Sequence, residues 1–488
     1  MKNSRFALPV ALARFVLFIA GCTTTAIQAA TSSGGAAAPA TVTWDSVPAI
    51  LARIKAPQFP ARDFRITDFG AKGDGTTDCT GAIAQAIAAC HAAGGGRVVV
   101  DGGVFLTGAV HLKSNVNLHV AEGATLKFSP DPEKFLPLVR ARFEGTEVMN
   151  YSPLIYAFQQ QNIAITGKGT LDGSASNDTW WALGRRRGPG VLGSAQLIEM
   201  GEKGVPVEER RFGPAGSLRP NFIVPYLCQN ILIEDVRIVK SPMWEINPVL
   251  CTNITVRGVD ISSHGPNNDG CDPDSCRDVL IENCVFDTGD DCIAIKSGKD
   301  ADGRRVGVPS ENLVIRNCVM KDGHGGVVLG SENSGGIRNV FAENCRMDSP
   351  NLQRALRLKT NAGRGGFLEN VFFRNVEVGR VSDSILTIDL VYQRVTEGAF
   401  VPTVRNVRME NVTAKSAPRV LSVVGIAKSV IENVRIADSH FSGVEGADIL
   451  AHSGDIAYHN VTIEPVRNRP AATPAARPAP APAADAKQ

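Results

Sequence analysis

Aromatic side chains are scarce, 6% of 488 residues. After the first 21 residues, no stretch approaches the roughly 20 apolar residues of a membrane span. An excess of one charge is also missing. Lys and Arg number 51 against 49 Asp and Glu, and three of the cations (Lys2, Arg5, Arg14) lie in the first 21 residues, which hold no acid. Without that segment, 48 cations face 49 acids. Such a balance excludes generic attraction to nucleic acid, so any polyanion site has to be a local cluster of positive charge. No two of the 11 cysteines form a CxxC pair, which removes the usual zinc and redox patterns. What remains is 43% hydrophobic and 20% charged, with 48 glycines. Disorder over the whole chain is thereby excluded, and turns and short strands are favoured over long helices. The length suits two or three ordinary domains or one long repetitive one.

The opening MKNSRFALPVALARFVLFIAGC joins a basic start to an apolar run, so residues 1–30 read as an export signal. Ile19-Ala20-Gly21-Cys22 resembles the lipobox of bacterial lipoproteins, which would make Cys22 a lipidated membrane anchor. Cleavage near Ala29 or Ala30 is the rival. The expected location is the periplasm, the outer membrane or the medium. Residues 31–58 read as a linker, 59–466 as the folded domain, and 467–488 as a disordered Pro/Ala tail.

The folded domain is a repeat. NILIEDV from Asn230, NITVRGV from Asn253, DVLIENC from Asp278 and NLVIRNC from Asn312 share one pattern. NVFAENC from Asn339, NVFFRNV from Asn370, NVRMENV from Asn406 and NVRIADS from Asn433 continue it. Starts are 23, 25, 34, 27, 31, 36 and 27 residues apart. A unit this short cannot bury its own apolar face, so neighbours must stack. The strand-like apolar runs and irregular spacing predict a parallel β-helix, all-β, with loops of varying length. Cys284, Cys318 and Cys345 take the position of Val236, Val259, Val376 and Val412, and Cys228, Cys251 and Cys276 all precede repeat starts by two. Cysteine exchanging with aliphatics predicts buried thiols rather than a disulfide framework. Cys79 and Cys90, 11 apart, predict one face of a helix that plugs the solenoid's end.

Four segments depart from the repeat: GPNNDGCDPDSC, DTGDDCIAIKSG, DGHGGVVLGSE and RALRLKT. Asp290 and His324 each lie 12 residues after a repeat start, so they should stack on successive coils. Asp269 falls one coil earlier, and Arg357 and Lys359 one coil later. Residues two apart on a strand share a face, so Arg357 and Lys359 point outward together while Leu356 and Leu358 point in. Gly289 and the His324-Gly325-Gly326 run are read as clearing space for a bulky ligand. Taken singly, Asp/Asn/Gly runs are ordinary turn material. Coincident on one stripe, three carboxylates, a histidine and two cations suit acid/base cleavage of an acidic polymer.

These residues resemble glycoside hydrolase family 28, the polygalacturonases, and among them bacterial exo-acting members. The family's Asn-Thr-Asp motif stands here as Asn267-Asn268-Asp269, with Asn268 replacing Thr. Gly-Asp-Asp is Gly289-Asp290-Asp291, Gly-His-Gly is Gly323-His324-Gly325, and Arg-Ile-Lys is Arg357-Leu358-Lys359. The resemblance runs from Ile66 to about residue 415. It implies a right-handed parallel β-helix that hydrolyses the α-1,4-galacturonosidic bonds of pectin. By resemblance, Asp290 is the general acid, and Asp269 and Asp291 hold and deprotonate the attacking water, with inversion. His324 tunes the protonation of the acids, and Arg357 and Lys359 grip a sugar carboxylate. Asn267, Lys296 and Gly325 complete the expected substrate contacts. No cofactor or metal is implied, and the expected partner is pectin or oligogalacturonides, met by a monomer.

The alternatives are a rhamnogalacturonan hydrolase, a calcium-dependent β-helix pectate lyase and a non-catalytic polysaccharide-binding solenoid. KDADGRR from Lys299 offers weak calcium-loop chemistry, though a lyase has no use for His324. Between Leu171 and Asn230 lies a long stretch with little strand pattern. So long an irregular segment is usually functional. It is expected to close one end of the groove, with Trp180 and Trp181 stacking on a sugar and Arg185, Arg186 and Arg187 meeting its carboxylate. That wall would make the enzyme exo-acting. The rival is a surface loop packing its own tryptophans.

Overall fold

A computed structural model describes residues 41–466. The export signal, Cys22 and the 467–488 tail lie outside the described residues. Every repeat becomes one coil of a right-handed parallel β-helix. Ile231 pairs with Ile254, Ile254 with Val279 and Val279 with Leu313, and the register continues through Val340, Val371 and Val407 to Val434.

The residue opening each repeat is fixed by backbone geometry. All eight starts have φ between 54° and 62°, the left-handed region that Asn and Asp tolerate best after Gly. Their side chains then bond coil to coil: Asn253 Nδ2 donates to Asn230 Oδ1 at 2.7 Å, Asn339 to Asn312 at 3.0 Å and Asn406 to Asn370 at 2.8 Å. Asp278 is the exception. Its carboxylate accepts from Asn312 Nδ2 at 3.2 Å and pairs with Arg53 Nη2 at 2.7 Å.

That contact corrects the linker. Residues 44–54 are folded onto the coils, with a helix α1 over Val47–Arg53. Val47, Ile50 and Ile54 follow helical spacing and pack, with Trp44, on the outer face of the sheet at Leu280, Val314, Phe341 and Phe372. A second helix α2, Thr80–Ala92, buries Ile83, Ala86, Ile87 and Cys90 against the first coils, as the cysteine spacing predicted. The ten described cysteines are free and buried, those preceding or closing repeats lying in the core among aliphatics.

The groove face is a second parallel sheet: Ile293–Ile295, Val327–Leu329, Arg354–Lys359, Ser384–Asp389 and Arg419–Val424. Leu356 and Leu358 enter the core, which leaves Arg357 and Lys359 on the outer side. Beside this sheet lie the hairpin Val139–Phe143/Thr146–Asn150 and the irregular stretch, which holds helices at Trp180–Leu183 and Ser194–Glu202. They share a small core of their own in which Phe143, Val148, Leu197 and Phe212 meet Met243 and Trp244.

Candidate active site

The turn between two coils sets the first acid. Asn268 is fully buried, and its Oδ1 accepts from Ser263 Oγ and Gly265 N, both at 2.7 Å, while Nδ2 donates to the Ser241 and Met243 carbonyls at 3.2 Å. Four hydrogen bonds satisfy the amide and lock the turn that presents Asp269. On the next coil a Cβ at Gly289 would come 2.5 Å from Gly265 O, and one at Gly326 would come 2.7 Å from Met347 Cε. These glycines therefore make room for neighbouring turns, not for a ligand. A Cβ at Gly325 would come 2.5 Å from Val328 Cγ2, with Asp291 Oδ1 at 3.4 Å and Arg357 Cβ at 3.7 Å, so this glycine too makes room for its neighbours.

Asp269, Asp290 and Asp291 each place a carboxylate oxygen within 4.8 Å of the others. His324 stacks one coil above, Nδ1 at 2.8 Å from Asp290 Oδ1, as the shared 12-residue offset predicted. Lys359 Nζ lies 2.6 Å from Asp291 Oδ2, and Arg357 Nη1 lies 3.8 Å from Asp291 Oδ1. Tyr392, which sequence reasoning missed, sets its ring 5.3 Å from Lys359 Nζ and 5.6 Å from the Arg357 guanidinium. The two cations thus divide the labour. Lys359 is a buried counter-ion to Asp291, whereas Arg357 makes no side-chain hydrogen bond among the described residues, and its fork is free for a substrate carboxylate.

Lys296 is corrected. It is 2% exposed, and its Nζ is shared among Glu332 at 3.3 Å, Asp269 at 3.5 Å and Asp272 at 3.5 Å, with the Trp244 ring 4.2 Å away. It is a buried counter-ion beneath the acids. Asn267 has its Oδ1 turned to Arg219 Nη2 at 2.7 Å, which leaves its Nδ2 for a ligand.

So many acids cannot all be charged. Burial, with Asp272 and Asp290 adding repulsion, holds Asp269 well above the ordinary carboxylate range. Burial also pushes Asp272 up to about 8, against the pull of Lys296. Asp290 moves the other way: burial raises it, but the hydrogen bond from His324 and the charges of Lys359 and Lys296 outweigh that, and it sits below its ordinary value. The same bond raises His324. In the free protein the cluster's proton therefore rests on Asp269, and Asp290 is held as an anion against His324. Asp269 Oδ1 and Asp291 Oδ1 are buried without a protein hydrogen-bond partner, which suits a water held between them.

The calcium-loop reading of KDADGRR is overturned. Asp300–Val306 is helical, with Asp302 paired to Arg210 at 2.9 Å and Asp300 to Arg364 at 2.6 Å. Trp180 is likewise no sugar platform. It is fully buried, edge-on to Phe135 at 5.1 Å and to Tyr151 at 6.3 Å. Trp181 donates from Nε1 to Ser241 O at 3.0 Å and lies against Gly265. For the tryptophans, the reading as a loop packing its own side chains holds.

A solenoid whose groove carries three clustered acids, a histidine and buried cations is the architecture of a polysaccharide-cleaving enzyme. Residues 213–463 match the family Glycosyl hydrolases family 28. The exo-poly-alpha-D-galacturonosidase of Dickeya chrysanthemi is 30% identical over 442 residues, 83% of this chain and 71% of that protein. A probable polygalacturonase of Vitis vinifera is 32% identical over 330 residues, 65% of this chain and 60% of the grape protein. The crystal structure of a hyperthermoactive exopolygalacturonase from Thermotoga maritima superposes with a TM-score of 0.82 at 46% identity, covering 86% of this chain and 96% of that one. The chain belongs to glycosyl hydrolase family 28.

Proposed function

We propose that this protein hydrolyses α-1,4-galacturonosidic bonds of homogalacturonan from a chain end, releasing monomer with inversion. The observation that carries the reading is the cluster of Asp269, Asp290 and Asp291, bound to His324 and flanked by Arg357 and Lys359. An acidic polymer enters the groove with one uronate on Arg357. Its negative charge, added beside Asp290, favours moving the cluster's proton onto that acid. Asp290 then protonates the glycosidic oxygen, while Asp269 and Asp291 direct and deprotonate the water between them. Lys296, 3.5 Å from Asp269, favours the anion of that carboxylate as the proton leaves.

The insertion over residues 173–222 supports exo action. It leaves a cleft of about 660 Å³ whose walls include Arg186, Arg187, Asn267 and Arg219, next to the catalytic turn. The test is a time course on polygalacturonate. Monomer should accumulate from the first minutes while viscosity falls slowly. An early ladder of oligomers with rapid viscosity loss would mean that the groove is open at both ends. Rhamnogalacturonan, run in parallel, should release nothing. Export, through Cys22 lipidation or plain signal cleavage, is part of the same proposal, because a polymer of this kind cannot reach a cytosolic enzyme. Globomycin, which blocks lipoprotein signal cleavage, separates the two routes.

A further inference from the structure

We infer that Arg219 is a specificity determinant that takes the carboxylate of the sugar at the closed end of the groove. The inference rests on the exo reading and names the group that would recognise the chain end.

Arg219 is 7% exposed, yet no acidic side chain lies within ion-pair distance among the described residues. Its partners are all neutral: Nη1 donates to the Pro242 and Pro266 carbonyls, each at 2.6 Å, and Nη2 to Asn267 Oδ1 at 2.7 Å. Glu144, which lines the same cleft, is already engaged by Lys299 Nζ at 3.0 Å. A buried cation held only by neutral acceptors is costly to keep. Burial accordingly lowers Arg219 to about 10.

A guanidinium has five N–H donors. The protein engages three of Arg219's, leaving two, the number that a bidentate carboxylate accepts. The three engaged bonds come from the turns before and at Asp269, so they fix the group rigidly against the catalytic coil. Gly184 of the insertion presses on the same side chain, where an added Cβ would meet Nε at 2.7 Å. The wall and the arginine are thus built against each other. Arg219 lies on the N-terminal side of the acids and Arg357 on the C-terminal side, so a carboxylate on each side would hold the scissile bond between them.

A staple that merely joins three turns would use the same three bonds, and the experiment has to separate the two roles. Initial kcat/KM is measured on trigalacturonate and on the same trisaccharide with galactose as its non-reducing terminal sugar. The wild type should prefer the acid-ended substrate at least 10-fold. Arg219→Gln should lose that preference by cutting the acid-ended substrate about as slowly as the neutral-ended one. Arg219→Lys, which keeps the charge without the fork, serves if the Gln variant does not fold, and should retain only part of the preference. Free galacturonate should inhibit the wild type competitively and galactose should not, with the difference reduced in either variant. Equal rates on both substrates in the wild type, or undiminished preference in Arg219→Lys and Arg219→Gln, would overturn the inference. The products report separately on the parent reading: endo cleavage of polygalacturonate sinks exo action, whereas monomer release without terminal preference sinks only Arg219.

Discussion

Asp290→Asn separates stability from chemistry at this site. The substitution removes one negative charge from three carboxylates lying within 4.8 Å of one another. With Asp269 holding the cluster's proton, the repulsion relieved is that of Asp291 alone, a contact costing at most about 3.5 kcal/mol at an effective dielectric near 20. Against that relief stands the charge-assisted bond to His324, worth about 1.5–3 kcal/mol where buried. It belongs at the low end here, because the His324 side chain is 43% exposed. The Asn oxygen can still accept from Nδ1, so part of the bond survives. The terms oppose, and Tm at pH 6 should stay within a few degrees of the wild type, or rise. Turnover should not survive. Losing the general acid costs about 10²–10⁴ in rate, or roughly 3–5 kcal/mol of barrier. The assay compares polygalacturonate, whose leaving sugar needs a proton, with 4-nitrophenyl galacturonide, whose phenolate leaves without one. The variant should lose two to four orders of magnitude on the first and far less on the second. An equal loss on both would mean that Asp290 is not the acid. A large fall in Tm would show that its charge holds the fold together.

Three further outcomes follow from the same geometry. Lys359→Met breaks a buried ion pair and strands Asp291, so stability should drop by about 3–5 kcal/mol along with kcat, whereas Arg357→Met should raise KM with little change in Tm; identical behaviour in the two variants would refute the division of labour. Asp272 folds with its carboxyl at about 8 rather than 3.8, so its contribution favours the native state at low pH and is lost as pH rises between those values. Asp272→Asn should therefore narrow the gap in Tm between pH 5 and pH 8, and an unchanged gap would place the titration elsewhere. Proton NMR of the first product on trigalacturonate should show the β-anomer. Carboxyls about 5 Å apart more often mark retaining enzymes, so the result is diagnostic: an α-anomer would make one of the pair a nucleophile.

How much of this was legible in the sequence depends on whether a feature is local to the repeat. The coil register, the thiols at Cys284 and Cys318, and the stacking of His324 on Asp290 all follow from counting residues within a unit. One strand alternates in and out, and one coil stacks on the next, so position along the repeat fixes position in space. The repeat-opening Asn was visible as a pattern, but its cause was not. The left-handed φ and the amide ladder appear only when successive coils are in place. The segment around α1 carried helical spacing at Val47, Ile50 and Ile54, a signal hidden by the Ala/Thr-rich residues before it.

Pairing across the groove was the least legible. Nothing in the spacing of Lys296, Lys359 and Arg357 says which cation is consumed by neighbouring acids and which stays free, because that depends on how deeply each coil turns under the next. Lys296 lies beneath three carboxylates and Lys359 against one, while Arg357 is left with an open fork. Trp180 inverts expectation for the same reason. A loop's chain path decides burial, and this one turns its tryptophan into the core and the guanidinium of Arg219 onto Asn267, two residues before Asp269. The family motifs locate the cluster of acids, since its members sit on the regular stack. Arg219, proposed to read the substrate's end, sits on the irregular loop, where only the folded path brings it to the turn that carries Asp269.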